Sequence, residues 1–420
     1  MQVFFSVGEP SGDLHGANLI ESLKRRNPDW DFVGYGGPRM AAAGCKLHTD
    51  LTQLAVMGVT QVLWNIRKFL RLLAQANQTF QQQPPDLVVM IDFPGFNWWI
   101  ARKAKAQGIP VVYYGTPQLW AWASWRVSKM RRFVDHVLCK LPFEEAWFRE
   151  RGCHATFVGH PYFDELKSRQ LDQAFIETLT RALSCPHPVD CQRTSGEGHL
   201  VTILPGSRTQ EVKSNLMPFL KAAKRIKGQV PSTRFAIAVY KSAQLELVGE
   251  LVDQSGLEVD VQVNRTAELI YAARCCLACS GSVSLELLYH TKPAVILYQI
   301  SKLEYGLQWL LRKVRYITLV NLLTAKDPFA DRSAGFYDSA DPRDQHVLLP
   351  EYLTCGDRTT ELADHVVDWL TDDALYAQLQ TKLSQLKAQV AQGGASERAA
   401  DYLVTNVLNG RSTPSKRDAA

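Results

Sequence analysis

The sequence predicts two doubly wound α/β domains, each built on a parallel sheet of the Rossmann type. Its 420 residues are too many for one ordinary core, and 46% hydrophobic with 21% charged residues is typical of a globular protein. Short apolar runs that end in glycine or polar turns, each followed by an amphipathic stretch, recur in both halves. A polar, turn-rich segment over 183–199 separates the halves, so we expect domains over 1–182 and 200–360. Residues 361–409 are expected to form helices that pack back or mediate dimerisation, and residues 410–420 a disordered tail.

The first predicted strand leads into a glycine-rich loop. The run from Val3 to Val7 predicts the strand, Gly8 to Gly16 the loop, and Ala17 to Arg26 a helix. Free backbone amides and the dipole at such a helix start attract anions, although a tight turn without a ligand is the alternative. The loop has neither the GxGxxG nor the GK[ST] pattern, which weighs against a dinucleotide or ATP site.

One candidate catalytic acid follows a strand in the first half. The continuous apolar run Leu87 to Ile91 predicts a strand buried on both faces of a parallel sheet, and it ends in Asp92. Ligands of open α/β sheets lie beyond the carboxyl ends of the strands. The aromatic residues that follow would give a carboxyl group partly apolar surroundings, which raise a carboxyl pKa towards the range of a general base. The alternative, equally weighted from position alone, is that Asp92 only caps the next helix.

Two further segments of the first half predict contacts with a sugar, a phosphate or a lipid. After the strand that ends at Tyr114, the loop contains Gln118, Trp120 and Trp122, whose rings could stack on a sugar or contact an acyl chain. Arg126 and Lys129 follow on a helix and could meet a phosphate.

The segment from Leu54 to Leu73 is apolar around much of a helix, with Arg67, Lys68 and Arg71 between the apolar positions. A basic amphipathic helix of this kind lies in an anionic membrane interface, although an ordinary core helix is favoured on pattern alone. The candidate acyl-chain and membrane residues are Val62, Leu63, Trp64, Ile66, Phe69, Leu70 and Leu73.

The second half repeats the arrangement of strand, small-residue loop and helix. Leu200 to Leu204 predicts its first strand, after which Gly206 and Ser207 can present amides to a phosphate and Arg208 adds a fork of donors suited to a diphosphate. A second such loop holds Ser280, Gly281 and Ser282. Glu286 in the next helix turn would accept ribose hydroxyls or only complement the helix dipole. Asn321 ends a later apolar run.

Composition excludes several classes of protein. No secretory signal opens the chain, no apolar stretch reaches the length of a membrane span, and the nine cysteines show no regular framework. We therefore expect a cytoplasmic, reduced protein with no metal or cofactor and no nucleic-acid partner. The net charge of +5 favours acidic substrates or an anionic surface.

Ten sequence blocks, in their order and spacing, resemble the lipid-A-disaccharide synthases over about residues 1–355. They are GEPSGDLHGA, GGPRM, LAVMGVTQVL, IDFPGFN, PQLWAW, LPF, FVGHP, LPGSR, SGSVSLE and NLL. The resemblance implies a glycosyltransferase B fold, with two Rossmann-like domains facing an interdomain cleft. It also implies an inverting, metal-independent enzyme of Gram-negative bacteria, peripheral on the cytoplasmic face of the inner membrane. The implied donor is UDP-2,3-diacylglucosamine, the acceptor is 2,3-diacylglucosamine 1-phosphate (lipid X), and the product is the β-1',6-linked disaccharide.

The resemblance also implies roles for individual residues. Asp92 matches the base that takes the proton of the acceptor's 6-hydroxyl, and Arg208 matches the arginine on the UDP diphosphate. The other implied donor residues are Gly206, Ser207, Ser280, Gly281, Ser282, Glu286 and Asn321. The implied residues for the acceptor or the sugar are Ser11, Gly12, Asp13, Gln118, Trp120, Trp122, Arg126 and Lys129. Under this reading the segment Leu54 to Leu73 becomes the acyl-chain and membrane surface.

Four other interpretations were weighed. A sister transferase of the same fold or a UDP-sugar epimerase would share UDP binding, but the first has no need of the apolar segment and the second needs no acceptor. A non-catalytic membrane-surface protein would not need Asp92 and Arg208. An NAD-dependent oxidoreductase would need the missing GxGxxG pattern.

Overall fold

The computed structural model describes residues 1–55, 66–184, 198–329 and 336–408, which form two parallel α/β units. The first unit is Met1–Lys167 together with the C-terminal segment from Gln392, and the second is Ser168–Ala391. The predicted fold class of two Rossmann-like domains is confirmed. Every helix in these ranges is too short or too polar to cross a bilayer.

The first unit is built on a seven-stranded parallel sheet of order β3-β2-β1-β4-β5-β6-β7. Its strands are β1 (Gln2–Val7), β2 (Asp31–Gly36), β3 (Lys46–Asp50), β4 (Leu87–Ile91), β5 (Val111–Tyr114), β6 (His136–Cys139) and β7 (Ala155–Phe157). The strand order reverses between β1 and β4, where Val7 lies beside Ile91. The loops after these two strands therefore meet at the switch point, where ligands of such sheets bind.

Eight α-helices of the described chain connect these strands: α1 (Pro10–Arg26), α2 (Pro38–Ala42), α3 (Thr52–Ala55), α4 (Ile66–Gln82), α5 (Pro94–Ala106), α6 (Leu119–Trp122), α7 (Val127–Phe133) and α8 (Pro142–Arg149). A further helix, α9 (Tyr162–Ser168), follows β7. Proline stands in the first turn of α1, α2, α5 and α8, where its fixed φ and missing N–H suit a helix start. The apolar face of α1, including Leu19 and Leu23, packs on alternate residues of β1 and β4.

The second unit has a six-stranded parallel sheet of order β10-β9-β8-β11-β12-β13. Its strands are β8 (Leu200–Leu204), β9 (Arg234–Val239), β10 (Asp260–Val263), β11 (Cys275–Cys279), β12 (Ala294–Gln299) and β13 (Glu351–Thr354). Its helices are α10 (Gln173–Ser184), α11 (Thr209–Gln229), α12 (Leu245–Ser255), α13 (Thr266–Ala272), α14 (Val283–Tyr289), α15 (Lys302–Leu311), α16 (Leu319–Thr324), α17 (Thr359–Thr371) and α18 (Asp373–Val390). The order reverses between β8 and β11, so the loops after these strands meet at a second switch point.

The described structure differs from the sequence-based boundaries in four places. The predicted loop Gly8 to Gly16 is helical from Pro10 onward. Strands β3 and β13 were not predicted, because KLHTD and EYLT are too short and too polar to stand out as buried runs. Residues Leu319–Thr324, which were predicted to end in a loop, form a helix. The unit boundary lies at Lys167/Ser168, before the predicted linker, because α10 packs on α13 of the second unit. Most of the predicted linker (185–197) and the predicted tail (410–420) lie outside the described residues.

The C-terminal helices divide between the two units. Helices α17 and α18 pack on the second unit, whereas α19 (Ala395–Tyr402), followed by a π-helical turn Leu403–Leu408, returns to the first unit and packs on α1. Asp164 accepts hydrogen bonds from the backbone amides of Gly394, Ala395 and Ser396 at the start of α19, and Glu397 pairs with Arg25 and Arg26. The described C-terminal helices thus pack against the body of their own chain.

Candidate active site

The backbone at Asp92 is held in an uncommon conformation. Asp92 and Phe93 have φ values of 47° and 43°, in the left-handed region that residues other than glycine rarely adopt. The carbonyl oxygen of Asp92 accepts hydrogen bonds from the Tyr113 hydroxyl at 2.5 Å and from the Asn97 side-chain amide at 2.7 Å. Asn97 is itself buried and accepts a bond from the Ser6 hydroxyl. Three neighbouring elements therefore fix the turn that presents Asp92.

Asp92 is not the cap of the following helix. The N-cap of α5 is Phe93, and no side chain accepts a hydrogen bond from its first turn. The helix-cap interpretation of Asp92 is therefore wrong. Gly8 is needed opposite this turn, because a Cβ at Gly8 would lie 2.4 Å from the ring of Phe93.

The carboxylate of Asp92 lies beside a lysine that the sequence reasoning missed. The Nζ atom of Lys140 is 3.3 Å from Asp92 Oδ1, and the two side chains are only 15% and 17% exposed. Burial lowers the pKa of Lys140, but the negative charges of Asp92 and Glu144 outweigh it and raise that pKa above its ordinary value. To the partly apolar surroundings that the sequence predicted for Asp92, the structure thus adds an ion pair. The available signal was position, since Lys140 directly follows β6 at the same edge of the sheet.

Two buried histidines also lie near this acid. The rings of His15 and His160 are 6.4 Å apart, and both side chains are buried. Burial lowers the pKa of His15 to about 4, although the charge of Asp92 opposes it, and burial holds the pKa of His160 well below its ordinary value. Within the described part of the chain, His15 Nδ1 has no hydrogen-bond partner. Both rings are therefore neutral at pH 7.

The glycine-rich segment after β1, whose residues from Pro10 onward form the first turns of α1, reaches the acid through one residue. A Cβ at Gly12 would lie 3.6 Å from Asp92 Oδ2, so the backbone of Gly12 passes beside the carboxylate, with Ser11 exposed next to it. Asp13 has another function: its carboxylate accepts hydrogen bonds from the amides of Gly37, Arg39 and Met40 at 2.8–3.1 Å. The oxygens of Asp13 thus hold the start of α2, and a ligand contact of Asp13 stays a prediction.

The tryptophan loop divides into a buried and an exposed part. Trp120 is 1% exposed and donates a hydrogen bond to Glu144 at 2.9 Å, so it packs inside the unit and its ligand contact stays a prediction. Trp122 is 47% exposed, with the guanidinium carbon of Arg126 5.4 Å from its ring. Gln118 and Lys129 are exposed. Trp125, which was not predicted, is 58% exposed beside the same arginine.

The apolar segment before β4 is described only in part. Val62, Leu63 and Trp64 lie outside the described residues. In α4, Leu72, Ala76 and Phe80 are buried, whereas Ile66 and Leu70 are 48% and 57% exposed. Phe69 packs 6.2 Å from the ring of Phe93, and Leu73 is half-buried. Helix α4 thus has both a core face and an exposed apolar patch at its N-terminal end.

In the second unit, the loop after β8 is closed by a glutamate. The carboxylate of Glu211 accepts hydrogen bonds from the amides of Ser207 and Arg208, both at 3.0 Å. Gly206 has a φ of +125°, and a Cβ there would lie 2.5 Å from the Cβ of Glu211. The Ser207 amide thus already donates to Glu211, and its contact with a phosphate stays a prediction. The side chain of Arg208 is 80% exposed, with its Nη1 3.4 Å from Glu211 Oε1.

The loop after β11 is open. Gly281 has a φ of +153°, and no described atom lies within 4 Å of the position a Cβ would take. Ser282 is exposed and Ser280 is half-buried. These residues leave room for a ligand at the second switch point.

Two further predicted donor residues have protein partners. Glu286 is buried and accepts a bond from Arg169 at 2.6 Å. Asn321 is fully buried: its amide group donates to Leu349 O, Thr318 Oγ1 and Glu351 Oε2, and its Oδ1 accepts from the Leu349 amide. Asn321 is therefore fully engaged by protein partners, and its nucleotide contact stays a prediction. A ribose that contacts Glu286 would have to share the Glu286 carboxylate with Arg169.

Comparison with known proteins gives consistent matches. A family model described as lipid-A-disaccharide synthetase matches residues 3–332. A lipid-A-disaccharide synthase of Myxococcus xanthus is 31% identical over 411 residues, covering 98% of both chains. One of Coxiella burnetii is 31% identical over 401 residues, covering 96% of this chain and 97% of its own. One of Geobacter sulfurreducens is 30% identical over 404 residues, covering 96% of both.

Solved structures share the fold. A UDP-N-acetylglucosamine 2-epimerase from Listeria monocytogenes, titled as putative, has a TM-score of 0.61 at 13% identity, covering 98% of this chain and 97% of its own. The calicheamicin glycosyltransferase CalG4 has a TM-score of 0.55 at 14% identity, covering 98% and 99%. Both likenesses concern the fold alone, and they agree with the expected glycosyltransferase B type.

Proposed function

Because the chain belongs to the lipid-A-disaccharide synthetase family of glycosyltransferases, we propose the following reaction. The enzyme transfers 2,3-diacylglucosamine from UDP-2,3-diacylglucosamine to the 6-hydroxyl of 2,3-diacylglucosamine 1-phosphate. The products are UDP and the β-1',6-linked disaccharide 1-phosphate. The observation that carries the proposal is Asp92, which a strained backbone presents at the first switch point and which caps no helix.

Asp92 is the base in this proposal. As the acceptor oxygen attacks C1 of the donor sugar, the C1–O bond to UDP breaks and the hydroxyl proton passes to the Asp92 carboxylate. A neighbouring ammonium favours the ionised form of a carboxylate, which is the form that accepts a proton. The contact of Lys140 with Asp92 supports this role.

Arg208 neutralises the charge that grows on the departing diphosphate. Its exposed guanidinium can form paired hydrogen bonds to phosphate oxygens. Gly281, Ser280 and Ser282, in the open loop after β11, hold the nucleotide or its phosphates. The proposal includes activity without a divalent metal, which an assay in the presence of EDTA tests.

The acceptor is held by residues of the first unit close to Asp92 and in the tryptophan loop. Ser11 and Gly12 lie next to Asp92, while Trp122, Arg126 and Lys129 offer a ring face and two cations for a sugar and its 1-phosphate. Gln118 belongs to the same exposed loop. These side chains, rather than Trp120 or Asp13, are the ones we propose for the acceptor.

The enzyme works as a peripheral protein on the inner face of the cytoplasmic membrane. Support comes from the N-terminal end of α4, where Ile66 and Leu70 are exposed among Arg67, Lys68 and Arg71. Such a mixture of apolar and basic side chains suits an anionic membrane interface.

The test is UDP release from UDP-2,3-diacylglucosamine, measured with and without the acceptor and with mass spectrometry of the product. We expect release to require the acceptor and Asp92→Asn to lose nearly all activity. Asp31→Asn is the matched control, because Asp31 also contacts a lysine, at 3.1 Å, but lies exposed at the opposite end of the sheet. Release without acceptor, or epimerisation of the donor, would contradict the reaction. Full activity of a folded Asp92→Asn protein would contradict the base.

A further inference from the structure

We propose that helix α15 (Lys302–Leu311) of the second unit is a lipid-contact element that lies flat on the surface of an anionic bilayer. The proposal adds a second membrane surface to the one at α4. Its biological purpose, access to lipid substrates, rests on the proposed function. Its physical basis is the distribution of apolar side chains on this helix.

The apolar side chains of α15 point to solvent. Leu303, Leu307 and Leu310, called here the leucine stripe, are 84%, 54% and 65% exposed. Their spacing of i, i+4 and i+7 places them on one face of the helix. All ten residues of α15 are described, and none is buried. Of the fifteen large apolar side chains that the described ranges expose, five lie in this helix, which marks a patch rather than scatter.

The orientation of the stripe is fixed from the other side of the helix. The ring of Tyr305 lies 4.9 Å from that of Phe336, and the guanidinium carbon of Arg312 lies 4.0 Å from the same ring. Residues 305 and 312 are seven apart and share a face opposite to the stripe. The helix start is held by its own cap, since Ser301 and Glu304 exchange hydrogen bonds at 2.8–3.2 Å. The stripe is thus held outward by contacts that do not involve it.

The size of the patch favours a lipid surface over a protein partner. Ten helical residues span about 15 Å, and with a width of about 10 Å the footprint is on the order of 150 Å². A stable protein interface buries about 800 Å² on each partner, so a second copy that met only this helix would be held too weakly. A fluid bilayer needs no complementary surface and takes in each exposed side chain separately.

The charges beside the stripe fit anionic headgroups. Lys302 at the N-terminal end of α15 is exposed, and Lys313, which is half-buried, follows its C-terminal end. Glu304, the one acid in the helix, is engaged by the cap at Ser301. Trp309 is 68% exposed on the flank of the lysines, a position that suits the headgroup region of a bilayer.

Sedimentation of the purified full-length protein with vesicles tests the proposal. Vesicles of phosphatidylcholine with phosphatidylglycerol are compared with vesicles of phosphatidylcholine alone. We expect the partition coefficient of the triple variant Leu303→Gln/Leu307→Gln/Leu310→Gln into the anionic vesicles to be at least about tenfold lower than that of the wild type. The reason is that the variant no longer buries three leucine side chains in the bilayer. Leu245→Gln/Leu375→Gln is the matched control, since these leucines of the same unit are 41% and 38% exposed outside α15, and should bind as the wild type does.

A second readout localises the contact. Acyl chains brominated near the headgroups quench tryptophan fluorescence, and we expect Trp309→Phe to remove part of this quenching. Unchanged vesicle binding by the triple variant overturns the proposal. A second result would also overturn it: the wild type is a dimer, the triple variant is a monomer, and both bind vesicles equally. The patch would then contact a second copy of the chain rather than a bilayer.

The proposed function is tested separately by assaying the triple variant with substrates dispersed in detergent. We expect wild-type kcat there and reduced activity only with substrates in vesicles. If the transferase reaction fails while the triple variant still loses vesicle binding, α15 remains a lipid-contact element and only the function is wrong.

Discussion

Removal of the Lys140 ammonium should destabilise the first unit by leaving Asp92 as an unpaired, largely buried charge. Two unit charges 3.3 Å apart attract by about 5 kcal/mol at an effective dielectric constant of about 20, and desolvation of both groups offsets much of this. Breaking a buried pair by deleting one partner costs about 3–5 kcal/mol. Since the two side chains keep 15% and 17% of their surface exposed, we expect Lys140→Met to lower the free energy of unfolding by about 3 kcal/mol.

The assay is urea unfolding of the single variants Lys140→Met and Asp92→Asn and of the double variant, followed by circular dichroism. In the double variant neither Lys140 nor Asp92 remains as the charged partner of a deleted group, so it should be more stable than the sum of the single effects predicts. Lys46→Met is the matched control: its pair with Asp31 is 76% and 57% exposed, and its loss should cost less than about 1 kcal/mol.

Two outcomes would refute this reasoning: a Lys140→Met protein as stable as the wild type, or strictly additive effects in the double variant. The result also bears on the reaction. Asp92→Asn leaves Lys140 unpaired, so its activity loss counts as chemical only where the variant is shown to be folded.

Three further predictions concern pH, the donor loop and the tryptophans. Burial lowers the pKa of His15 to about 4, so the stability that the neutral ring contributes is complete above about pH 6.5 and is lost as the pH falls towards 4. The loss in the free energy of unfolding is on the order of 3 kcal/mol. The free energy of unfolding of His15→Gln should therefore depend less steeply on pH, which unfolding titrations measure. Gly206→Ala should weaken UDP binding about tenfold by calorimetry, because its Cβ would collide with Glu211 and its φ of +125° disfavours alanine. Trp120→Phe should lower the melting temperature because Glu144 loses a donor, whereas Trp122→Ala should raise KM for the acceptor without a change in melting temperature.

Several side chains that shape the candidate site were not assigned a function from the sequence. Lys140, His15 and His160 come from different elements, and only the folded first unit brings them close to Asp92. Glu211 likewise accepts a hydrogen bond from the Ser207 amide, and Arg169 donates one to Glu286. The sequence had predicted a ligand contact for both groups. A motif identifies which groups are present, but it does not show which of them already have a partner within the protein.

The exposure of apolar residues was equally undetermined. The pattern of α4 allowed either a core helix or a membrane helix, and the described residues contain both a buried face and an exposed patch. The leucine stripe of α15 was not singled out at all, because its i, i+4, i+7 spacing is that of any amphipathic helix. Only packing decides whether such a face meets a sheet or solvent.

The sequence by itself determined the α/β class, the strands beside the two switch points and the position of Asp92 at a strand end. These follow from local causes: continuous apolar runs form buried parallel strands, and glycine and proline set the turns that end them. The tertiary structure alone decided that Asp92 pairs with Lys140, that Asp13, Trp120 and Asn321 form hydrogen bonds within the protein, and that α15 exposes its leucines. Each of these depends on contacts between residues far apart in the chain, where hydrogen-bond satisfaction and burial are settled by packing.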